Sequence, residues 1–168
     1  MKTIHIIRHA KSSWDQPNLP DIKRPLNGRG EYVSFAMAKV IYHAGCAFEH
    51  VFASPAVRAQ ATINNIAESL SSEVAITWQT DKQLYTFNSY ELFDWLSGVD
   101  ENIQELIIVG HNPALTDFCD ELSDANILNI PTCGYVQLKC SEKVLWRDAL
   151  QVKWQITTFL KPKEVLKS

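Results

Sequence analysis

The sequence lacks any apolar run approaching the ~20 residues that a membrane-crossing helix needs, so no transmembrane segment and no membrane partner are expected. Arg8, His9 and Lys11 break the one apolar stretch near the N-terminus before the core of a secretion signal can form, and the expected location is the cytoplasm. Cysteine is sparse: Cys46, Cys119, Cys133 and Cys140 form no C-x-x-C pair and no finger-like spacing with histidine. Scattered thiols in a reducing compartment are the expectation, not a disulfide frame. Positive charge is not in excess either, with 16 Lys and Arg against 19 Asp and Glu and a net charge of -3. Nothing in that balance calls for nucleic acid as a partner. Internal repeats and low-complexity segments are absent as well.

What is present is an ordinary globular composition, 46% hydrophobic and 21% charged over 168 residues, enough for one domain with a core of its own. Residues 3–8 read as a short strand apolar on both faces, and 15–28 as a polar, Pro-rich loop. A helix is expected from Gly30 to Ala44, with Val33, Ala36, Met37, Val40 and Ile41 at helical spacing and Gly45 as the stop. Val51–Ala53 reads as a second strand, with Ser54 as the cap and Pro55 as the first residue of the next helix. A third strand is expected over Val74–Trp78, then a helix capped by Ser89 and stopped by Gly98. Leu106–Val109 is a buried strand, and Pro113 opens a helix with Leu115, Phe118, Cys119 and Leu122 inward. Strands near Tyr135–Cys140 and Trp154–Leu160 close the chain, pairing with each other or joining the sheet edge. The alternation predicts an α/β fold: a single-domain three-layer sandwich, its central sheet mostly parallel with helices on both faces.

In such sheets ligands bind beyond the carboxyl ends of the strands. Three strand-to-helix junctions carry cationic or nucleophilic groups there: Arg8-His9 after the first strand, Arg58 in the first turn after the second, and His111 after Leu106–Val109. Guanidinium groups make bidentate, charge-assisted hydrogen bonds to phosphate oxygens. Helix N-termini add free N–H groups. A neutral imidazole is a competent nucleophile toward phosphorus, so one histidine could attack while the other, protonated, stabilises the non-bridging oxygens. A lone histidine at a strand end is commonly structural, and His5, His43 and His50 lack any such setting. A metal centre built on His9 and His111 lacks a third ligand at recognisable spacing, and no cofactor is expected.

Arg8-His9-Ala10 resembles the R-H-G/A signature of the histidine phosphatase superfamily. The fuller run Arg8 to Asp15, followed by Arg24-Pro25-Leu26-Asn27 and Gly30, is similar to its small SixA-type phosphohistidine phosphatase branch. Ser54-Pro55-Ala56-x-Arg58-Ala59-x-x-Thr62 and Val109-Gly110-His111-Asn112-Pro113 resemble the next two motifs, in the right order, and Pro131-Thr132 resembles the closing segment. The resemblance implies a phosphoglycerate-mutase-like fold with His9 as the nucleophile, Arg8 and Arg58 as clamps on the phosphoryl oxygens, and His111 as the second pocket histidine. It also implies hydrolysis of a phosphohistidine enzyme intermediate without a metal.

The departures are informative. Larger members supply a glutamate after a leucine near mid-chain, as general acid; here the stretch is Gln83-Leu84-Tyr85-Thr86. Their long helical insert is missing too, since only about fifty residues separate Arg58 from His111. An alkoxide leaving group needs a proton, typically a roughly 10²–10⁴-fold effect. Imidazole, with a pKa of about 6.5, leaves more easily. An acid-poor site therefore favours phosphohistidine on a partner protein, of the histidine-phosphotransfer type, over a small phosphorylated molecule. Asp15 could supply an acid, although an ionised aspartate would repel phosphate. Lys11 and Ser12 are candidate rim donors or solvated loop residues, and Trp14 either packs over the loop or faces the substrate. A small-molecule phosphomonoesterase and a non-catalytic phosphoprotein-binding module are the competing expectations, and the chain is expected to be a monomer.

Overall fold

Strand β1 (Lys2–Arg8) has isoleucine on both faces, and in this computed structural model, which describes residues 1–166, both faces are covered. Successive strand side chains point to opposite faces, so Ile4 and Ile6 enter one core while Ile7 enters the other. Each fully buried isoleucine contributes roughly 1.5–3 kcal/mol, which keeps the strand that carries the site central.

β1 pairs in parallel with β4 (Glu105–Gly110) and antiparallel with β5 (Tyr135–Cys140). β2 (Val51–Ala53) lies parallel to β4 and to β3 (Trp78–Thr80), and β6 (Gln155–Leu160) runs antiparallel to β5. The order is β3-β2-β4-β1-β5-β6, with the β1–β4, β2–β3 and β2–β4 pairs parallel. The tail strands thus do both things expected of them: they pair with each other and extend the sheet.

Helices α1 (Gly28–His43) and α2 (Val57–Ser69) cover one face through Met37, Ile41, Ala59 and Ile63 against Ile7 and Val109. On the other face α3 (Ser89–Ser97) and α4 (Ala114–Ser123) set Leu92, Trp95, Leu115 and Phe118 against Ile4, Ile6 and Ile108. A short helix, α5 (Pro162–Val165), follows β6. This is the α/β three-layer sandwich read from the sequence. Among the described residues no helix is long and apolar enough to cross a membrane.

Several element ends differ from the sequence reading. α1 starts at Gly28 because the Asn27 side chain caps it, accepting from the Gly30 N–H at 2.8 Å. β3 lies at Trp78–Thr80, where the chain meets β2; Val74 and Ile76 are buried in part without ladder partners. α3 is capped by Asn88, whose side chain accepts from the Tyr90 N–H, while the Ser89 hydroxyl is directed at Glu121. Ser54 is not a helix cap. α2 begins three residues later at Val57, and the Ser54 hydroxyl accepts from the Ala56 N–H at 3.2 Å before the helix begins.

Candidate active site

The parallel register puts the three strand ends on one edge: Arg8 stands opposite Gly110, and Ala53 opposite Val109. One residue further, the His9 N–H donates to the Gly110 carbonyl at 3.1 Å and the Ser54 N–H to the Val109 carbonyl at 3.0 Å. Arg8, His9, Ser54 and His111 are therefore delivered by strand pairing. Arg58, in the first turn of α2, is tied to the same edge by Thr62. The Thr62 hydroxyl donates to the Arg58 carbonyl at 2.7 Å and accepts from the Ala10 N–H at 2.9 Å. Gly30 completes the frame, because a Cβ there would lie 2.2 Å from the Lys11 carbonyl oxygen.

The four residues singled out by sequence come together. The His9 and His111 rings are 5.2 Å apart, and Arg58 Nε lies 3.4 Å from His9 Nε2. Arg8 donates from Nη1 to the Ile130 carbonyl at 2.9 Å, while its buried Nε has no partner among the described residues. Arg58 and His111 are only 2% and 1% exposed.

His9 Nδ1 lies 2.6 Å from the Ala10 carbonyl. A carbonyl can only accept, so Nδ1 carries the proton and Nε2 keeps its lone pair facing the cluster. Burial first, then the charges of Arg58, Arg8 and Arg24, push the His9 pKa down to about 4 against the raising effect of the Ala10 bond. His9 is thus neutral at pH 7. His111 is pushed down to about 3, again chiefly by burial, with His9, Arg58 and Arg8 adding to it and Asp21 opposing. Its Nε2 lies 2.7 Å from the Ser54 hydroxyl, and its buried Nδ1 has no partner among the described residues. Tyr85 and Phe87 flank the His111 ring at 5.4 and 5.6 Å.

The sequence reading missed Asp21. Its carboxylate receives Arg58 Nη2 at 2.9 Å, Arg24 Nη2 at 2.8 Å and the Tyr85 hydroxyl at 2.6 Å, while its backbone carbonyl accepts from Arg58 Nη1 at 2.7 Å. Burial raises its pKa, but hydrogen bonds from Tyr85, Arg58 and Arg24 and the charge of Arg58 prevail and hold it at about 2. It is an anion, not a proton donor, at neutral pH. Arg24 is a third guanidinium near His9, itself covered by the Trp14 ring at 3.5 Å. Trp14 therefore packs over the loop through Arg24 and still leaves 73% of itself exposed.

The rim candidates divide. Lys11 lines a wide hollow that reaches Arg8. Ser12 staples the loop through a backbone bridge to Leu26 and makes no side-chain hydrogen bond among the described residues. Asp15 lines a different hollow, with Ser13, Leu19 and Arg24, and no hydrogen bond or ion pair among the described residues joins its carboxylate to the cluster. The carboxylate that reaches the cluster is Asp21. Among the described residues no group of three or more His, Cys, Asp or Glu is set to hold a metal ion.

The chain resembles solved structures over nearly its whole length. A protein assigned as the phosphohistidine phosphatase SixA of Nakamurella multipartitia is 18% identical, with 96% of each chain covered and a TM-score of 0.79. The protein histidine phosphatase SixA complexed with tungstate is 18% identical, covering 98% of this chain and 99% of that one, with a TM-score of 0.78. At such identity the likeness is one of fold. An uncharacterized chloroplastic protein of Arabidopsis thaliana is 25% identical over 176 residues, 94% of this chain and 76% of that protein. The profile of the histidine phosphatase superfamily, branch 1, matches residues 4–88, the half that holds Arg8, His9, Asp21 and Arg58. With that match over half its length, and with the Arg-His strand end delivered into a cluster of guanidinium and imidazole groups, the chain belongs to the histidine phosphatase superfamily and is a phosphatase.

Proposed function

We propose that the protein hydrolyses phosphohistidine on a partner protein, through a phosphorylated His9 and without a metal. The observation that carries this reading is the protonation state of the one carboxylate that reaches the cluster among the described residues: Asp21, held at about pKa 2, has no proton to give to an alkoxide. Imidazole needs no such acid. When its other ring nitrogen carries a proton, it departs as a neutral molecule.

The residues supply the rest. The His9 Nε2 lone pair attacks phosphorus, and the bond between phosphorus and the substrate imidazole breaks with its electron pair going to that nitrogen. Arg8 Nε is a guanidinium edge without a partner among the described residues, and His111 Nδ1 is a further donor when it carries a proton. Arg58 Nε, which donates to His9 Nε2 at 3.4 Å, turns to the non-bridging oxygens once that lone pair engages phosphorus. Water then attacks phospho-His9, releasing inorganic phosphate and restoring the neutral ring. Tungstate, found with a SixA of the same fold, is a tetrahedral oxyanion of phosphate's charge.

The test compares kcat/KM for phosphohistidine and phosphoramidate with that for a panel of phosphomonoesters, in wild type and His9→Ala, with and without a chelator. The expected result is preference for the phosphoramidates, no effect of chelation, and loss of turnover and of phosphate on residue 9 in the variant. Higher kcat/KM for esters overturns the reading in favour of a phosphomonoesterase. Binding without turnover or a phosphorylated His9 points to a non-catalytic module.

A further inference from the structure

Beside the phosphate cluster lies a second feature that the chemistry above leaves unused, a hollow of about 690 Å³ with Arg8 in its wall. Four more cations line it, Lys11, Arg29, Lys161 and Lys163, against one carboxylate, Glu164. They come from three parts of the chain: the loop after β1, the first turn of α1, and the β6–α5 junction. The chain as a whole has more acidic than basic residues, so its composition does not account for this gathering. Like charges brought together repel, and none of these four is in an ion pair among the described residues. Arg29 lies 5.9 Å over the Tyr32 ring and Lys161 5.0 Å over the Phe159 ring, contacts that leave the positive charge uncancelled.

We propose that this hollow is a docking subsite for an acidic segment of the partner protein, one that flanks its phosphohistidine. The proposal rests on the reading of the substrate as protein-borne phosphohistidine. Arg8 belongs to both the cluster and the hollow, so a chain whose phosphoryl group sits at His9 continues into the hollow past Arg8. The lining suits a peptide better than a small polyanion. Three of its cations are lysines, hydrated point charges on long stems, and not rigid guanidinium forks converging on one group. Lys11, Arg29 and Lys163 are exposed, and the wall between the charges is apolar or neutral, with Val33, Pro131, Pro162 and Thr132. Such a surface attracts a run of carboxylates over its length and fades with salt.

The experiment measures binding, not turnover. A fluorescein-labelled peptide carrying histidine among Asp and Glu is titrated with the full chain, beside its Asn and Gln counterpart, by anisotropy at low and at physiological salt. The acidic peptide is expected to bind about tenfold or more tightly, with the preference shrinking as salt rises. In the Arg29→Glu/Lys161→Glu/Lys163→Glu variant the ratio between the two peptides is expected to fall to about one. If that variant does not fold, Arg29→Gln/Lys163→Gln, both at exposed positions, is expected to lower the ratio severalfold. Equal binding of the two peptides, or an undiminished ratio in the variant, overturns the proposal. Tight binding of tripolyphosphate without binding of the acidic peptide overturns it in favour of a small polyanion. Because no turnover is read, failure of phosphohistidine cleavage and failure of this subsite are separate outcomes.

Discussion

Asp21 grips Arg58 from two directions, its backbone carbonyl taking Nη1 at 2.7 Å and its carboxylate taking Nη2 at 2.9 Å. Both outer nitrogens of the guanidinium are thereby committed, and Nε is the edge left facing His9. The same carboxylate is the nearest negative charge to Arg24 as well.

Removing that charge leaves buried cations facing one another. Asp21→Asn is expected to lose about 1–3 kcal/mol of unfolding free energy without ligand, because Arg58 is buried and loses a charged partner. Phosphate or vanadate then takes over the missing charge, so the gain in Tm on adding either anion should be larger in the variant than in wild type. Equal gains, read by thermal denaturation, would count against a compensating role for Asp21.

The buried histidines set the acid limit of stability. His5, His9 and His111 all have folded pKa values below their ordinary 6.5, with burial the leading cause. Below pH 6.5 the unfolded chain therefore binds protons that the folded chain refuses, and stability falls as pH drops from 6.5 toward about 4 and then 3, where His9 and His111 accept theirs. Asp21 acts in the same direction at lower pH, its stabilisation being lost as pH falls toward about 2. Urea midpoints should be lower at pH 5 than at pH 7; the reverse order would contradict this assignment.

Ser54 is the only hydrogen-bond partner of the His111 side chain among the described residues, at 2.7 Å from Nε2. Ser54→Ala is expected to lower kcat about tenfold to a hundredfold, as loss of an orienting partner does, with a smaller change in KM. Ser54→Thr, which keeps the hydroxyl, should retain more activity than the alanine. A kcat unchanged in Ser54→Ala would remove Ser54 from the positioning of His111.

Gly30 is needed for space, not for an unusual backbone angle. A methyl group 2.2 Å from the Lys11 carbonyl forces apart the N-terminal end of α1 and the segment directly after His9 and Ala10. Gly30→Ala is expected to cost about 1–3 kcal/mol in a denaturant titration, in the range of overpacking, and to lower kcat/KM. Gly28→Ala, with open space around its Cβ, is the control expected to change little.

Much of this site could be read from the sequence because it is delivered by regular structure. Arg8 ends a strand whose apolar pattern is plain, His9 and His111 stand directly after such strands, and the first turn of a helix placed Arg58. Asp21 was not legible, because it sits in a single 3-10 turn, Asp21–Lys23, inside a polar loop where an aspartate has no distinguishing neighbour. Only its spacing of three residues from Arg24 hints at the pair. Ser54 was misread for a related reason. A serine before proline has the features of a helix cap, and its real partner is 57 residues away in sequence. Asp15 drew attention by closeness to the Arg-His motif, but the loop turns it toward a different hollow.

The bond from His9 Nδ1 to the Ala10 carbonyl spans a single residue and uses only main chain on the accepting side. No side-chain replacement can delete that acceptor, whatever residue follows the histidine. The ring's tautomer is therefore insulated from mutation in a way that the Asp21, Ser54 and Arg24 contacts are not. Replacing a neighbouring side chain leaves that acceptor in place, and with it the proton on Nδ1 and a reactive nitrogen, Nε2, that carries none.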